Sequence, residues 1–227
     1  MPVWEYHRLM NLGRVVVAGL SAWNYVINRR VAPDRYVAAN LAASAALLAV
    51  GSVRASREQL GLRAGHGIGI GGAGAAVVGL GAVAASRIPA TARLFEDQRV
   101  SAEDVAYQTL VRIPMGTVVL EEVAFRSVLP ALLDGPDRAR VSLGSGALFG
   151  LWHIIPTLTT LDINGVHEPA TRTTAVLIGG AATAAAGLLF DKLRLRSGSV
   201  LAPMLVHWSA NAVSYAIAAK RQADAPE

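Results

Sequence analysis

The chain has 227 residues, enough for one sizeable domain, and is 53% hydrophobic but only 16% charged, with a mean hydropathy of +0.41. A soluble domain carries about 25% charged residues; here the charges gather in short segments between long uncharged runs, the pattern of a polytopic membrane protein. The absence of cysteine excludes disulfides, thiol catalysis and thiolate-bound metal, and the net charge of +5 does not point to nucleic acid, because the basic residues punctuate apolar runs and suit lipid headgroups instead.

Residues 1–14 are mixed in polarity, and Trp4, Tyr6 and Arg8 suit an interface. Val15 to Ile27 is a short apolar run closed by Arg29 and Arg30. No small-residue cleavage site follows, so it reads as a first membrane helix and not as a signal peptide. Tyr36 to Val53 is a second uncharged span, followed by a polar loop from Arg54 to Arg63. Ala64 to Ser86 is rich in Gly and Ala. Gly67 to Gly72 matches the dinucleotide pattern GxGxxG, but no strand precedes it. The physical reading is a small-residue packing face, with Gly67/Gly71 and Gly65/Gly69 in GxxxG spacing. Arg87 to Asp104 reads as a loop with an interfacial portion, and Ala102 to Ile113 as an interfacial helix.

Pro114 suits the first turn of a helix, which predicts a span over 114–133, and Asp134-Gly135-Pro136-Asp137 is a turn. Val141 to Leu161 is uncharged apart from His153, with Pro156 ending or kinking the helix. Asp162 to Arg172 reads as a loop. His167-Glu168-Pro169 begins like HExxH, but position 171 is Thr and Pro169 blocks a helix there. Thr173 to Phe190 is a further span, Asp191 to Arg196 a short basic loop, and Ser197 to Ala219 the last span, before a polar tail from Lys220. The expectation is an all-α polytopic transmembrane bundle of seven helices, or eight if 88–112 contributes one. Lys and Arg divide evenly between the two sides, so the positive-inside rule assigns no orientation.

Glu121, Glu122 and Arg126 lie inside the apolar run from Pro114 to Leu133. A charge at membrane depth costs roughly 2.5–3.5 kcal/mol on insertion scales. Glu122 and Arg126 are four apart and can pair on one helix face, whereas Glu121 points about 100° away and needs another partner. At a rise of ~1.5 Å per residue, Glu121, His153 and His207 fall at one depth to within about a turn. Asn211 shares a helix face with His207, and Phe149 with His153. One such group is often interhelical glue; six together describe a polar chamber inside an apolar bundle.

These residues fall into three patterns. Glu121-Glu122-Val123-Ala124-Phe125-Arg126 fits EExxxR, Phe149-Gly150-Leu151-Trp152-His153 fits FxxxH, and His207-Trp208-Ser209-Ala210-Asn211 fits HxxxN, preceded by Gly198-Ser199 and Ala202-Pro203. Over about residues 114–216 the chain resembles the CPBP family of intramembrane proteases, also called the CAAX prenyl protease type II or Abi family. The resemblance implies a glutamate-dependent intramembrane endopeptidase. Glu121 and His153 would activate a water, and His207 and Asn211 would stabilise the oxyanion. Glu122, Arg126 and Phe149 would orient or support the site. No cofactor is expected. The alternative is zinc held by Glu121, His153 and His207, since family members are often described as metalloproteases, although HExxH is absent. The partners implied are membrane lipids and a membrane-associated peptide or protein; the abundance of Arg, Ala and Gly hints at a GC-rich bacterial genome, and the expected location is a bacterial cell membrane. Residues 1–113 would supply N-terminal membrane helices and an interfacial segment, 114–219 the catalytic helix core of the same domain, and 220–227 a polar tail. Competing readings are a non-catalytic scaffold or regulator of the bacteriocin-immunity type, and a proton-coupled transporter.

Overall fold

The computed structural model describes residues 3–63, 65–97, 99–133 and 138–224. Among these, eight helices of ten or more residues form and no strand does. They are α1 (Val3–Arg29), α2 (Tyr36–Ser52), α3 (Gly67–Ala85), α4 (105–132), α5 (Arg138–Trp152), α6 (Ile154–Ile163), α7 (Pro169–Ser197) and α8 (Leu201–Ala223). The turn expected at Asp134 to Asp137, the side chains of Trp4, Tyr6 and Arg8, and the last three residues of the tail lie outside the described residues. Three helical stretches are long and apolar enough to cross a membrane: Gly67–Ala85, Arg140–Ile163 and Pro169–Ser197. Their outer faces expose Val77, Leu80, Leu151, Leu177 and Ile178, while the charged groups of the centre are buried. That inversion of the soluble pattern is what a lipid solvent selects.

α4 is the axis of the bundle. Every residue from Leu120 to Leu129 is buried, including Glu121, Glu122, Arg126 and Ser127. Leu120, Val123, Phe125, Val128 and Leu129 pack with Val16 and Leu20 of α1, Phe149 and Trp152 of α5, Phe190 of α7 and Val206 of α8. α4 also corrects two expectations. The stretch 102–113 is not a separate interfacial helix, and Pro114 does not open a span. The helix runs without a break from 105 to 132, with wide π-helical turns over Gln108–Val118 and Val123–Val128. The wide turns relieve the clash that a proline ring makes with a carbonyl one α-turn back.

A proline leaves a carbonyl without its helical donor, and three of these are satisfied from neighbouring helices. Trp208 Nε1 donates to Thr109 O at 2.7 Å, five residues before Pro114. Ser145 Oγ donates to Phe125 O at 2.7 Å, five before Pro130. Asn24 Nδ2 donates to Trp152 O at 2.7 Å, four before Pro156. Each bond answers the requirement that a buried backbone polar group be paired, and each fixes one helix against another. The break that Pro156 imposes falls at His153, between α5 and α6.

The Gly/Ala-rich α3 packs on α8. A Cβ at Gly67 would come within 2.6 Å of Ser199, and one at Gly71 within 2.8 Å of the Ala202 Cα. The close approach is sealed by Ser209 Oγ donating to Ala75 O at 2.7 Å. The Gly65/Gly69 pair does not share it: Gly65 precedes the helix at φ 42°, and a Cβ on Gly69 would meet nothing within 4 Å.

α1 starts well before Val15, its buried face formed by Val16, Leu20, Asn24 and Ile27. α7 differs most from expectation. Pro169 does not block it but occupies its first turn, and the Glu168 side chain caps it, accepting from the Ala170 and Thr171 amides. Asp191 to Arg196 is not a loop. The helix continues to Ser197 and stops at Gly198, whose φ of 68° suits a glycine C-cap. Asp191 is tolerated there because it is buried beside Arg126, and Arg194 Nη2 donates to the Glu58 and Gln59 carbonyls.

Candidate active site

Three helices and one helix break deliver the site. α4 supplies Glu121, Glu122 and Arg126, the α5–α6 break supplies His153, α8 supplies His207 and Asn211, and α7 supplies Phe190 and Asp191. Glu121 is 6% exposed and lines a cavity of about 850 Å³ together with Tyr36, Arg112, Trp152, His153 and Asn211.

The two oxygens of Glu121 are treated differently. Oε1 accepts a hydrogen bond of 3.0 Å from Trp152 Nε1. Oε2 has no hydrogen-bond partner and stands 3.8 Å from His153 Nε2 and 3.7 Å from His207 Nε2. Those spacings exceed a direct hydrogen bond and suit a bridging water.

The far nitrogens of the imidazoles are anchored. His153 Nδ1 lies 2.7 Å from Phe149 O, one helical turn back. A carbonyl only accepts, so Nδ1 carries the proton, and in the neutral ring Nε2 offers a lone pair towards Glu121. His207 Nδ1 bonds Glu122 Oε1 at 2.8 Å. Its ring stacks on Phe190 at 5.1 Å and meets the edge of Phe149 at 5.9 Å. Glu122 therefore has two partners, His207 and Arg126, and Arg126 alone does not account for it.

Arg126 is 1% exposed. Its Nε stands 3.5 Å from Glu122 Oε2 and 3.7 Å from Asp191 Oδ1. Its guanidinium lies 4.0 Å from the ring centre of Phe149, 5.1 Å from Phe190 and 5.9 Å from Phe125. A desolvated cation over aromatic faces gains about 2 kcal/mol or more.

The structure thus brings Glu121, His153 and His207 together and sets Asn211 on the same cavity wall as Glu121 and His153. It places Phe149 beneath both histidines and Arg126. The sequence reading missed Trp152, Phe190 and Asp191. Trp152 carried a usable signal, since a buried indole N–H seeks an acceptor. At the cavity mouth, outside the membrane-spanning stretches, burial pushes the Asp97 carboxyl up. Hydrogen bonds and charge from Arg99, with the Asn164 amide, outweigh this and hold it below the usual carboxylate range.

Among the described residues no group of three or more His, Asp or Glu side chains is arranged to hold a metal ion.

Residues 105–213 match the family model described as type II CAAX prenyl endopeptidase Rce1-like. The match begins at the first residue of α4 and includes Glu121, Glu122, Arg126, Phe149, His153, His207 and Asn211. No curated protein and no solved structure matches the chain.

Proposed function

We propose that this chain, whose residues 105–213 match the type II CAAX prenyl endopeptidase Rce1-like model, is a protease of the CPBP type that hydrolyses peptide bonds of membrane-associated proteins or peptides with a water activated by Glu121 and His153. It works as a membrane-embedded protease, in our reading within a bacterial cell membrane. The observation that carries the reading is the half-bonded Glu121. One oxygen is fixed by Trp152, and the other, free of any hydrogen bond, stands 3.8 Å from Nε2 of His153, which lines the same cavity, and 3.7 Å from Nε2 of His207.

The steps follow from the hydrogen-bond inventory. A water between Glu121 Oε2 and His153 Nε2 gives up a proton to this pair as its oxygen attacks the scissile carbonyl. Glu122, an acceptor when ionised, accepts a hydrogen bond from the His207 Nδ1–H, so His207 offers a second N–H at Nε2 only as an imidazolium. In that form His207, with the Asn211 amide, donates to the oxyanion. Arg126, beside the other oxygen of Glu122, holds that carboxylate in place. The proton held by Glu121 and His153 then passes to the leaving amine, the C–N bond breaks, and the products are a carboxylic acid and an amine. Glu121, His153 and His207 act here as acid–base and hydrogen-bonding groups, with no metal step.

The test uses the full chain reconstituted in liposomes with a mixture of membrane peptides, and new chain ends read by mass spectrometry. Cleavage is expected, and Asn211→Ala should lower kcat by about 10²–10³. Full activity in folded Asn211→Ala would remove the oxyanion assignment, and an inert wild-type chain would remove the enzyme.

A further inference from the structure

Asp191 lies on α7, 5% exposed, outside the three motifs. It shares one face of that helix with Gly187 and Phe190, at i−4 and i−1, and the whole face is turned on Arg126 and His207. A Cβ at Gly187 would stand 2.9 Å from Arg126 Nη2, so the glycine makes room for the guanidinium. Phe190 covers both the guanidinium and the His207 ring. Asp191 Oδ1 stands 3.7 Å from Arg126 Nε, and both residues line a second cavity of about 570 Å³ that Glu121 does not line. A buried guanidinium with one carboxylate partner can swing towards it. Here two carboxylates draw on the same Nε, Glu122 Oε2 at 3.5 Å and Asp191 Oδ1 at 3.7 Å, so neither alone sets its position.

We infer that Asp191 is a positioning residue of this site: it holds Arg126, Arg126 braces Glu122, and Glu122 fixes the orientation of His207. The chain of contacts is Asp191–Arg126–Glu122–His207, and Asp191 touches neither substrate nor reacting water. This rests on the proposed proteolysis for its kinetic consequence but not for its structural one. Without the Asp191 charge, Arg126 shifts onto Glu122 alone, Glu122 turns, and the His207 Nε2 proton no longer points at the oxyanion position.

The test compares Asp191→Asn and Asp191→Glu in the full chain, by steady-state cleavage of a membrane peptide and by ¹⁵N NMR of histidine-labelled protein, with His207 assigned through His207→Gln. Asp191→Asn should lower kcat by about 10–100-fold, the usual scale for losing a supporting partner of a catalytic group, with KM nearly unchanged. The His207 ring signals should move. Asp191→Glu should restore both, since the second cavity has room for one more methylene. A folded Asp191→Asn protein with wild-type kcat and unmoved His207 signals overturns the inference. If Asp191→Asn fails to fold, the double variant Asp191→Asn/Arg126→Gln replaces it. Its His207 signals should match those of Arg126→Gln alone, and distinct signals overturn the inference. The NMR arm reads the same way in a chain that cleaves nothing, so failure of the protease reading and failure of this one are told apart.

Discussion

Trp152→Phe isolates the hydrogen bond that holds Glu121. The indole donates to Oε1 at 3.0 Å inside a buried site. A hydrogen bond to a charged group contributes about 1.5–3 kcal/mol. If all of it serves to orient Glu121 in the transition state, kcat falls by about 10–100-fold, at about 1.4 kcal/mol per tenfold. Phenylalanine keeps an edge-on ring beside Phe125, now 5.6 Å from Trp152. The Trp152 backbone carbonyl keeps its bond from Asn24. The remaining cost is the volume of the lost ring, about 1–3 kcal/mol in stability. Cleavage of a fluorogenic membrane peptide gives the rate, and thermal unfolding in detergent gives the stability. Folded Trp152→Phe at the wild-type rate would refute the reasoning.

Other consequences can be checked separately. Gly71→Ala should destabilise the protein by about 1–3 kcal/mol, because its Cβ would press on the Ala202 backbone, while Gly69→Ala, which meets nothing within 4 Å, should be neutral or stabilising by up to about 1 kcal/mol; thermal unfolding of the pair decides. A strong chelator should leave cleavage unchanged, and loss of activity restored by zinc would establish a metal enzyme instead. Asp97 has its carboxyl lowered in the fold, so its contribution to stability is complete above the unfolded value and is lost as pH falls through the folded one. Hydrogen exchange of the segment around it should therefore rise below about pH 4, and Asp97→Asn should abolish that pH dependence.

The uncharged runs gave the helices because a lipid solvent demands long apolar segments with internally satisfied backbones, and α2 and α3 begin and end within a few residues of expectation. The convergence of Glu121, His153 and His207 was legible for the same reason: a polar group at membrane depth must find company. Three things were not. Pro114 read as a helix start, since sequence does not reveal a wide turn and a Trp208 donor on another helix. Asp191 read as a loop residue, since a charge after an apolar run marks an interface unless a buried partner awaits it, and that partner, Arg126, is 65 positions away. His207 was matched to Glu121 by depth alone, whereas its direct bond is to Glu122; depth sets the turn of a helix but not which of two adjacent carboxylates a ring meets.

Glu121→Gln tests the central claim most directly. The amide keeps the size of the side chain and can still accept from Trp152, but it cannot take a proton from water. The reconstituted variant should fold with wild-type stability and cleave no membrane peptide measurably. Wild-type cleavage by Glu121→Gln would contradict the account.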